Sequence, residues 1–155
     1  MNTTRVYANM SAVINAGRMD AEKLRRIVEC KSVAEAFKML GDYGYAYSEG
    51  MSVDGFIVNE TNNLIEFVSE NAPSEKTAEA LLARFKYNNA KLAYKSRFAP
   101  VPSDGYYAVD LDVKGIADGD YSEADSFMAD ALTSLDEQNA GPLAIDLALT
   151  RAMYA

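Results

Sequence analysis

The sequence predicts an all-α fold, a bundle of about seven helices formed by residues 1–155 as a single domain. Apolar residues recur at the spacing of a helix face along most of the chain, and helix-capping residues precede several of these stretches. The one stretch that alternates like a strand, "YAVDLDV" at 107–113, has no second strand to pair with. With 155 residues, 49% of them apolar, the chain can form one hydrophobic core.

Three helices are predicted before residue 43. The first is defined by apolar spacing, and the second by apolar spacing after Asp20, a residue suited to cap a helix. Ser32 and Glu35 match the capping box of the third helix, and Gly41 is a suitable end for it. The apolar positions of these helices are Val6, Met10, Val13 and Ile14, then Leu24, Ile27 and Val28, then Val33, Phe37 and Leu40.

The fourth and fifth predicted helices are longer. Ser52 can cap the fourth, which ends before Pro73 because the residue before a proline avoids helical geometry. The fifth begins at Ser74 and extends to about Phe98. Its packed face is expected to consist of Leu81, Leu82, Phe85, Leu92 and Ser96.

The last third of the chain follows a Pro/Gly break near 100–105, which predicts either a linker or a sharp turn. The segment 107–113 is then expected to form an extended connector or a distorted helix. A sixth helix is predicted from Ser122. The seventh begins at Gly141 and Pro142, since proline is tolerated in the first turn of a helix.

Charge is unevenly distributed along the chain, whose formal net charge is -8. Residues 1–100 contain 13 of the 15 Lys and Arg residues, whereas 101–155 contain 11 acidic residues and only two basic ones. Binding to nucleic acid requires a basic face, and the acidic third would repel phosphates. The sequence therefore disfavours a nucleic-acid partner.

Residue types needed for several kinds of chemistry are missing. The chain contains no histidine, which excludes histidine-based triads and histidine metal sites. It has no glycine-rich phosphate loop of either common pattern. The single cysteine, Cys30, cannot form an internal disulfide or build a zinc site alone. We therefore expect no catalytic residues, no cofactor and no metal.

The same features indicate the compartment. The N-terminus lacks the basic region and long apolar core of a secretory signal. No apolar run approaches the roughly 20 residues that a membrane span requires. The sequence predicts a cytoplasmic protein with no direct membrane span.

The acidic stretch 110–121 is the best candidate for a metal site or a catalytic acid and base. Four residues match positions 1, 3, 6 and 9 of a calcium loop, but Lys114 occupies a ligand position and Tyr121 stands where a bidentate glutamate is required. The matching residues are Asp110, Asp112, Gly115 and Asp118. We interpret the stretch, with the carboxylates up to Asp125, as a solvated acidic turn; a small enzyme using it is the alternative.

The fifth helix contrasts with the acidic chain. Arg84, Lys91 and Lys95 cluster on one side of it, and they face either the acidic third of this chain or an outside partner. Asn89 lies on or beside the packed stripe. A buried amide is costly without hydrogen bonds, so Asn89 is expected to fix a neighbouring loop or helix end.

Tyrosines cluster in the turn after the third helix, where Tyr43, Tyr45 and Tyr47 alternate. A tyrosine buries an apolar ring while its hydroxyl finds a partner, so we interpret them as packing residues. An aromatic platform for a ligand is the alternative.

The segment "ARFKYNNAKLAYKS", which contains Asn89 and Lys91, resembles the Asn-x-Lys segment on a long helix of the V/A-type ATPase central-stalk subunits, called C in bacteria and archaea and d in eukaryotes. Other landmarks follow the family's order: "YANMSAVINAGRM" in the first helix, "LGDYGYA" around Tyr43, similar to a Leu-x-x-Thr-x-Tyr turn, and "GPLAIDLALTRAMY", similar to an Ile-Asp-x-x-Leu-Asp-x-x-Tyr helix. Lys86 and Thr150 stand where the family usually has aspartates. Family members are about twice as long, so the chain resembles an N-terminal half or a shortened relative.

The resemblance implies the helical fold of these V-type ATPase stalk proteins and a non-catalytic role. Family members sit on the cytoplasmic face of the membrane rotor ring and receive the central shaft, so that ATP turnover is coupled to proton or sodium transport. The implied partners are the shaft and ring subunits, and the implied location is peripheral to the membrane. A stand-alone helical protein-binding adaptor is the alternative. The structural or interaction candidates are Asn89, Lys91, Arg84, Lys95 and Tyr43.

Overall fold

A computed structural model describes residues 19–101, 105–138 and 140–155. All regular structure in these residues is helical, which confirms the prediction of an all-α fold. Seven helices are described: α1 (Ala21–Val28), α2 (Val33–Asp42), α3 (Val53–Asn71), α4 (Glu75–Lys95), α5 (Val113–Asp118), α6 (Ser126–Gln138) and α7 (Pro142–Met153). The first predicted helix, with Val6 to Ile14, lies outside the described residues.

The chain divides into two compact units, one ending at Ser52 and one beginning at Val53. The prediction of a single domain concerns how these units associate, and it stays a prediction. The Pro/Gly break near 100–105 lies within the second unit. None of the helices in the described ranges is both long enough and apolar enough to cross a bilayer.

The helix starts in the first unit follow the predicted caps. The Asp20 carboxylate accepts a 2.7 Å hydrogen bond from the backbone N–H of Lys23 and starts α1. The Ser32 hydroxyl accepts from the N–H of Glu35, whose carboxylate accepts from the N–H of Lys31 at 2.9 Å. These bonds satisfy N–H groups that have no partner within a helix. The end of α2 lies at Asp42, one residue beyond the predicted Gly41.

The core of the second unit lies where α7 packs against both α4 and α6. Alanines on α4 allow close approach of the helices, and larger side chains of α6 and α7 fill the space between them. The fully buried residues include Ala90, Ala93 and Tyr94 of α4, Met128 and Leu132 of α6, and Ile145 and Leu149 of α7. This cluster determines which side of α4 is covered.

The packed face predicted for α4 is wrong in part. Leu81 is 56% exposed, whereas Tyr87, Ala90, Ala93 and Tyr94 are buried. The predicted face was built mainly from large apolar residues. The buried face instead uses small alanines for close helix packing and tyrosines whose hydroxyls have hydrogen-bond partners. The helix ends at Lys95 and not near Phe98, although the N–H groups of Phe98 and Ala99 still bond to the Lys95 carbonyl.

The acidic segment forms a connector and one short helix. Asp112 caps α5 by accepting a 2.9 Å bond from the N–H of Gly115, and Lys114 pairs with Asp118 at 2.7 Å. Gly119 ends α5 with φ of 89°, which favours glycine. Thus the segment is an irregular connector followed by a helix. No group of three or more possible metal ligands is found across the described ranges.

The start of α6 differs from the prediction. It begins at Ser126, not Ser122, because the Asp125 carboxylate accepts a 2.9 Å bond from the N–H of Met128. The last helix begins as predicted, with Pro142 in its first turn after Gly141. Both helices are thus positioned by local signals at their N-termini.

Candidate functional site

Asn89 holds the connector that precedes α5. Its side chain is 1% exposed. The amide nitrogen donates a 2.8 Å bond to the Tyr107 carbonyl, and the amide oxygen accepts a 2.9 Å bond from the Tyr107 N–H. One side chain therefore satisfies both backbone groups of Tyr107, as in the pairing of two strands. The expectation that Asn89 fixes a neighbouring loop is confirmed.

Lys91 and Lys95 meet the last helix. The Lys91 ammonium donates a 2.8 Å hydrogen bond to the hydroxyl of Thr150, and the Lys95 ammonium forms a 2.6 Å ion pair with Asp146. Both lysines are half-buried. Two of the three predicted basic residues thus contact the acidic third of the same chain, which is one of the two alternatives derived from the sequence.

Arg84 and Tyr43 are placed differently. Arg84 is exposed, and its guanidinium lies 5.0 Å from the ring centre of Phe85. Tyr43 belongs to the first unit, where it ends α2 and its ring lies 5.5 Å from the Lys23 ammonium. Among the described residues, Arg84 is the candidate cation with neither an ion pair nor a side-chain hydrogen bond. It is therefore the one most available to an outside molecule.

A cavity of about 730 Å³ lies between α3, the first half of α4 and the connector. We call it the α3–α4 groove. Apolar side chains form much of its lining, with carboxylates and one lysine among them. The lining includes Ile65, Leu82, Val109, Glu75, Glu79, Asp110, Asp125 and Lys86.

Two asparagines hold the connector wall of the groove in place. The Asn62 side chain on α3 accepts a 2.8 Å bond from the N–H of Ala108. Asn89 on α4 binds the adjacent Tyr107 through both backbone groups. The connector is thus fixed to both helices at successive residues. Backbone held in this way has less freedom to move, so the groove has a defined wall.

Tyr87 and Asp125 close one end of the groove. The Tyr87 hydroxyl donates a 2.8 Å bond to Asp125, which also caps α6. Burial, together with the adjacent carboxylate, raises the pKa of Tyr87 well above its ordinary value. The hydroxyl therefore stays protonated and acts as a hydrogen-bond donor.

A second polar cluster surrounds Asp136. Its carboxylate accepts hydrogen bonds from Tyr94 at 2.9 Å, from Tyr121 at 2.6 Å and from Arg97 at 2.7 Å. Burial by itself would raise the pKa of Asp136, but the hydrogen bonds from these donors have the larger effect. The pKa of Asp136 is therefore lowered from its ordinary value. Burial, then the bond to Asp136, raises the pKa of Tyr94 to about 12. The cluster connects α4, the segment after α5, and α6.

The sequence did not identify Asn62, Asp125 or Asp136 as part of these sites. One signal was available: Tyr87 and Tyr94 are seven residues apart, which places them on one face of α4. Their aspartate partners lie 38 and 42 residues further along the chain. Periodicity within one helix does not identify such distant partners.

The arrangement is suited to holding chain segments and to recognising another molecule. Its tyrosines donate to carboxylates, its asparagines bind backbone groups, and the groove presents apolar surface next to carboxylates that have no ion pair with other described residues. Comparison of the chain with family models, curated proteins and solved structures finds no match.

Proposed function

We propose that this chain is a non-catalytic subunit of a V/A-type rotary ATPase or ATP synthase. In this role it links the central shaft to the membrane rotor ring and couples ATP turnover to proton or sodium transport. Its chemistry is protein recognition, and its location is the cytoplasmic face of the membrane, where it is held by the other subunits.

The observation that carries this proposal is the packing of α4 against α7. These two helices contain the segments "ARFKYNNAKLAYKS" and "GPLAIDLALTRAMY", on which the resemblance rests. Lys91 reaches Thr150 across 59 residues of sequence, and Lys95 reaches Asp146 across 51. When two segments pack against each other, the residue types of one limit those that the other can have. The contact is therefore a structural reason for both segments to occur in one chain. This supports treating them as one shared pattern.

Charge supports the proposal in a second way. Lys91 and Lys95 contact the last helix of the chain, whereas Arg84 is exposed and, among the described residues, lies only against the neighbouring Phe85 ring. An exposed arginine can form a two-pronged contact with a carboxylate of a partner. Charged groups at an interface set orientation and association rate more than affinity. We therefore assign Arg84, and not the two lysines, to an outside contact.

A binding experiment tests the proposal. The full chain is mixed with the purified shaft and ring subunits of the rotary ATPase from the same organism, and the mixture is separated by size. The expected result is stoichiometric co-elution with at least one of them, which Arg84→Glu weakens severalfold. Lys95→Met is the matched control, since its ion pair is internal. Failure of the wild-type chain to bind either subunit would contradict the proposal.

A stand-alone protein-binding adaptor is the second candidate, and exposed apolar residues on α7 favour it. Leu143 and Leu147 are four residues apart and therefore share one face of α7, and their exposures are 71% and 48%. Exposed apolar side chains grouped on one face indicate a binding surface. The genes beside this one separate the two functions, because a rotary ATPase subunit is expected among genes for ring and nucleotide-binding subunits.

A further inference from the structure

The α3–α4 groove has an apolar floor that includes the buried Ile65. Ile65 of α3, Leu82 of α4 and Val109 of the connector line it, with several alanines between them. Its volume is about 730 Å³. The small side chains leave room for side chains of another molecule.

The carboxylates of the groove give it a negative charge. Glu75, Glu79 and Asp110 form no ion pair or side-chain hydrogen bond within the part of the chain that the structure describes. Asp125 is engaged by Tyr87 and the start of α6. Among the described lining residues, the basic side chain is that of Lys86 alone. A ligand with apolar and cationic groups is complementary to this surface.

The dimensions favour a helix over a small molecule. The α4 residues that line the groove extend from Glu75 to Tyr87, a length of roughly 18 Å at about 1.5 Å per residue. This equals about three turns of a helix. Two adjacent helices also form the surface onto which a third helix packs, by inserting its side chains between theirs.

We propose that the α3–α4 groove binds a basic amphipathic helix of a partner protein. The apolar side chains of that helix lie against Ile65, Leu82 and Val109, and its Lys or Arg residues lie near Glu75, Glu79 and Asp110. Recognition of a helix in a groove through residues at i, i+3, i+4 and i+7 is a common mode of peptide binding. This inference does not depend on the proposed rotary ATPase function.

A peptide titration tests the groove. The probe is an amphipathic peptide of about 18 residues made of Lys, Leu and Ala, with one Trp on its apolar face. Because the protein contains no tryptophan, the peptide's fluorescence reports binding directly. The expected result is a blue shift that saturates at one peptide per full-length chain. A twin peptide with Glu in place of Lys should bind at least about tenfold more weakly.

Variants locate the binding site. Glu79→Lys combined with Asp110→Lys should weaken binding of the basic peptide by about tenfold. Asp130→Lys combined with Glu137→Lys changes the net charge equally at exposed positions of α6 outside the groove lining, and should alter binding less than about twofold. Equal weakening by both pairs would overturn the proposal, since net charge alone would then explain binding.

A variant that is expected to bind the peptide more tightly tests the groove without relying on a loss of binding. Lys86→Glu replaces the cation among the described lining residues by a carboxylate and should tighten binding of the basic peptide severalfold. No change or a weakening would count against the groove. Spermine that binds as tightly as the peptide and displaces it would also overturn the proposal, and would indicate a site for a small polycation. Failure of the rotary ATPase subunits to bind leaves all these readouts unaffected.

Discussion

The described parts of the two compact units contain similar helices, but different contacts stabilise the helices of each unit. In residues 19–52, Phe37 is the buried side chain, and it stacks on Tyr47 with ring centres 5.3 Å apart. Leu24, Val28 and Val33 of the same range are exposed. In residues 53–155, a continuous cluster of buried side chains joins α4, α5, α6 and α7.

Hydrogen bonds differ in the same way. The caps of α1 and α2 join residues three or four apart. The bonds of the second unit also join distant residues, such as Tyr94 with Asp136 and Lys91 with Thr150. Local signals are therefore sufficient to start a helix in either unit, whereas the arrangement of helices in the second unit depends on partners far along the chain.

Removing core volume from the second unit should have the largest effect. Leu132 is fully buried between α6 and its neighbours, and Leu132→Ala should lower the free energy of unfolding by about 2 to 5 kcal/mol. Phe127 on the same helix is more than half exposed, so Phe127→Ala is the control, with a change below about 0.5 kcal/mol. Urea denaturation followed by circular dichroism measures both. Equal losses would show that α6 is not buried as described.

Removing the long-range hydrogen bonds of Asn89 should lower the free energy of unfolding less than removing core volume does. Asn89→Leu leaves the Tyr107 N–H without its partner and removes one of two donors to the Tyr107 carbonyl, which still accepts from the Val109 N–H. The change should destabilise the chain by about 1 to 3 kcal/mol. The adjacent Asn88 is half-exposed and forms no side-chain bond with other described residues, so Asn88→Leu is a matched control with little effect. An Asn89→Leu protein as stable as the control would contradict a stabilising role of the Asn89 hydrogen bonds.

The Asp136 cluster predicts a dependence on pH. Because the folded-state pKa of Asp136 is lowered, its stabilisation is fully present above the ordinary value of about 4 and is lost as the pH falls through the lowered pKa. Asp136→Asn should cost about 1 to 2 kcal/mol near neutral pH, a reduced figure because the side chain is 35% exposed. Its stability should also fall less steeply in acid than that of the wild type.

The exposed Asp130 on the same helix supplies the control for that titration. Asp130→Asn should keep the acid dependence of the wild type, because Asp130 has no hydrogen bond from a tyrosine or arginine in the described ranges. Stability curves that run parallel for the wild type and Asp136→Asn between neutral and acid pH would rule out a contribution from the cluster.

The sequence predicts the features that depend on neighbouring residues. Asp20, Ser32 and Pro142 mark helix starts because a cap or a first-turn proline acts within about four residues. The sequence also predicts that the Asn89 amide is hydrogen-bonded to a neighbouring segment, since an asparagine on a packed face needs partners. Its partner Tyr107 was not predicted, because the course of the connector depends on tertiary contacts.

Features that need distant partners were missed for the same reason. The buried face of α4 is determined by α6 and α7, so the stripe predicted from helical spacing included Leu81 and left out Ala90 and Ala93. The α3–α4 groove is formed by α3, α4 and a connector about 20 residues beyond the lining part of α4. No pattern within one helix encodes such a cavity.

Removing a local cap in the first unit should give the smallest effect and should confine it to one helix. Ser32→Ala deletes the hydroxyl that accepts from the Glu35 N–H, at a cost of about 0.5 to 1 kcal/mol for an exposed cap. Hydrogen exchange of the α2 amides should then quicken by about two- to fivefold, while exchange in the second unit is unchanged. Ser48→Ala, at an exposed site outside the helices, is the control with no expected change. Faster exchange in α4 or α7 of the Ser32→Ala protein would show that the cap of α2 also stabilises the second unit, and the contrast between local and long-range stabilisation would then fail.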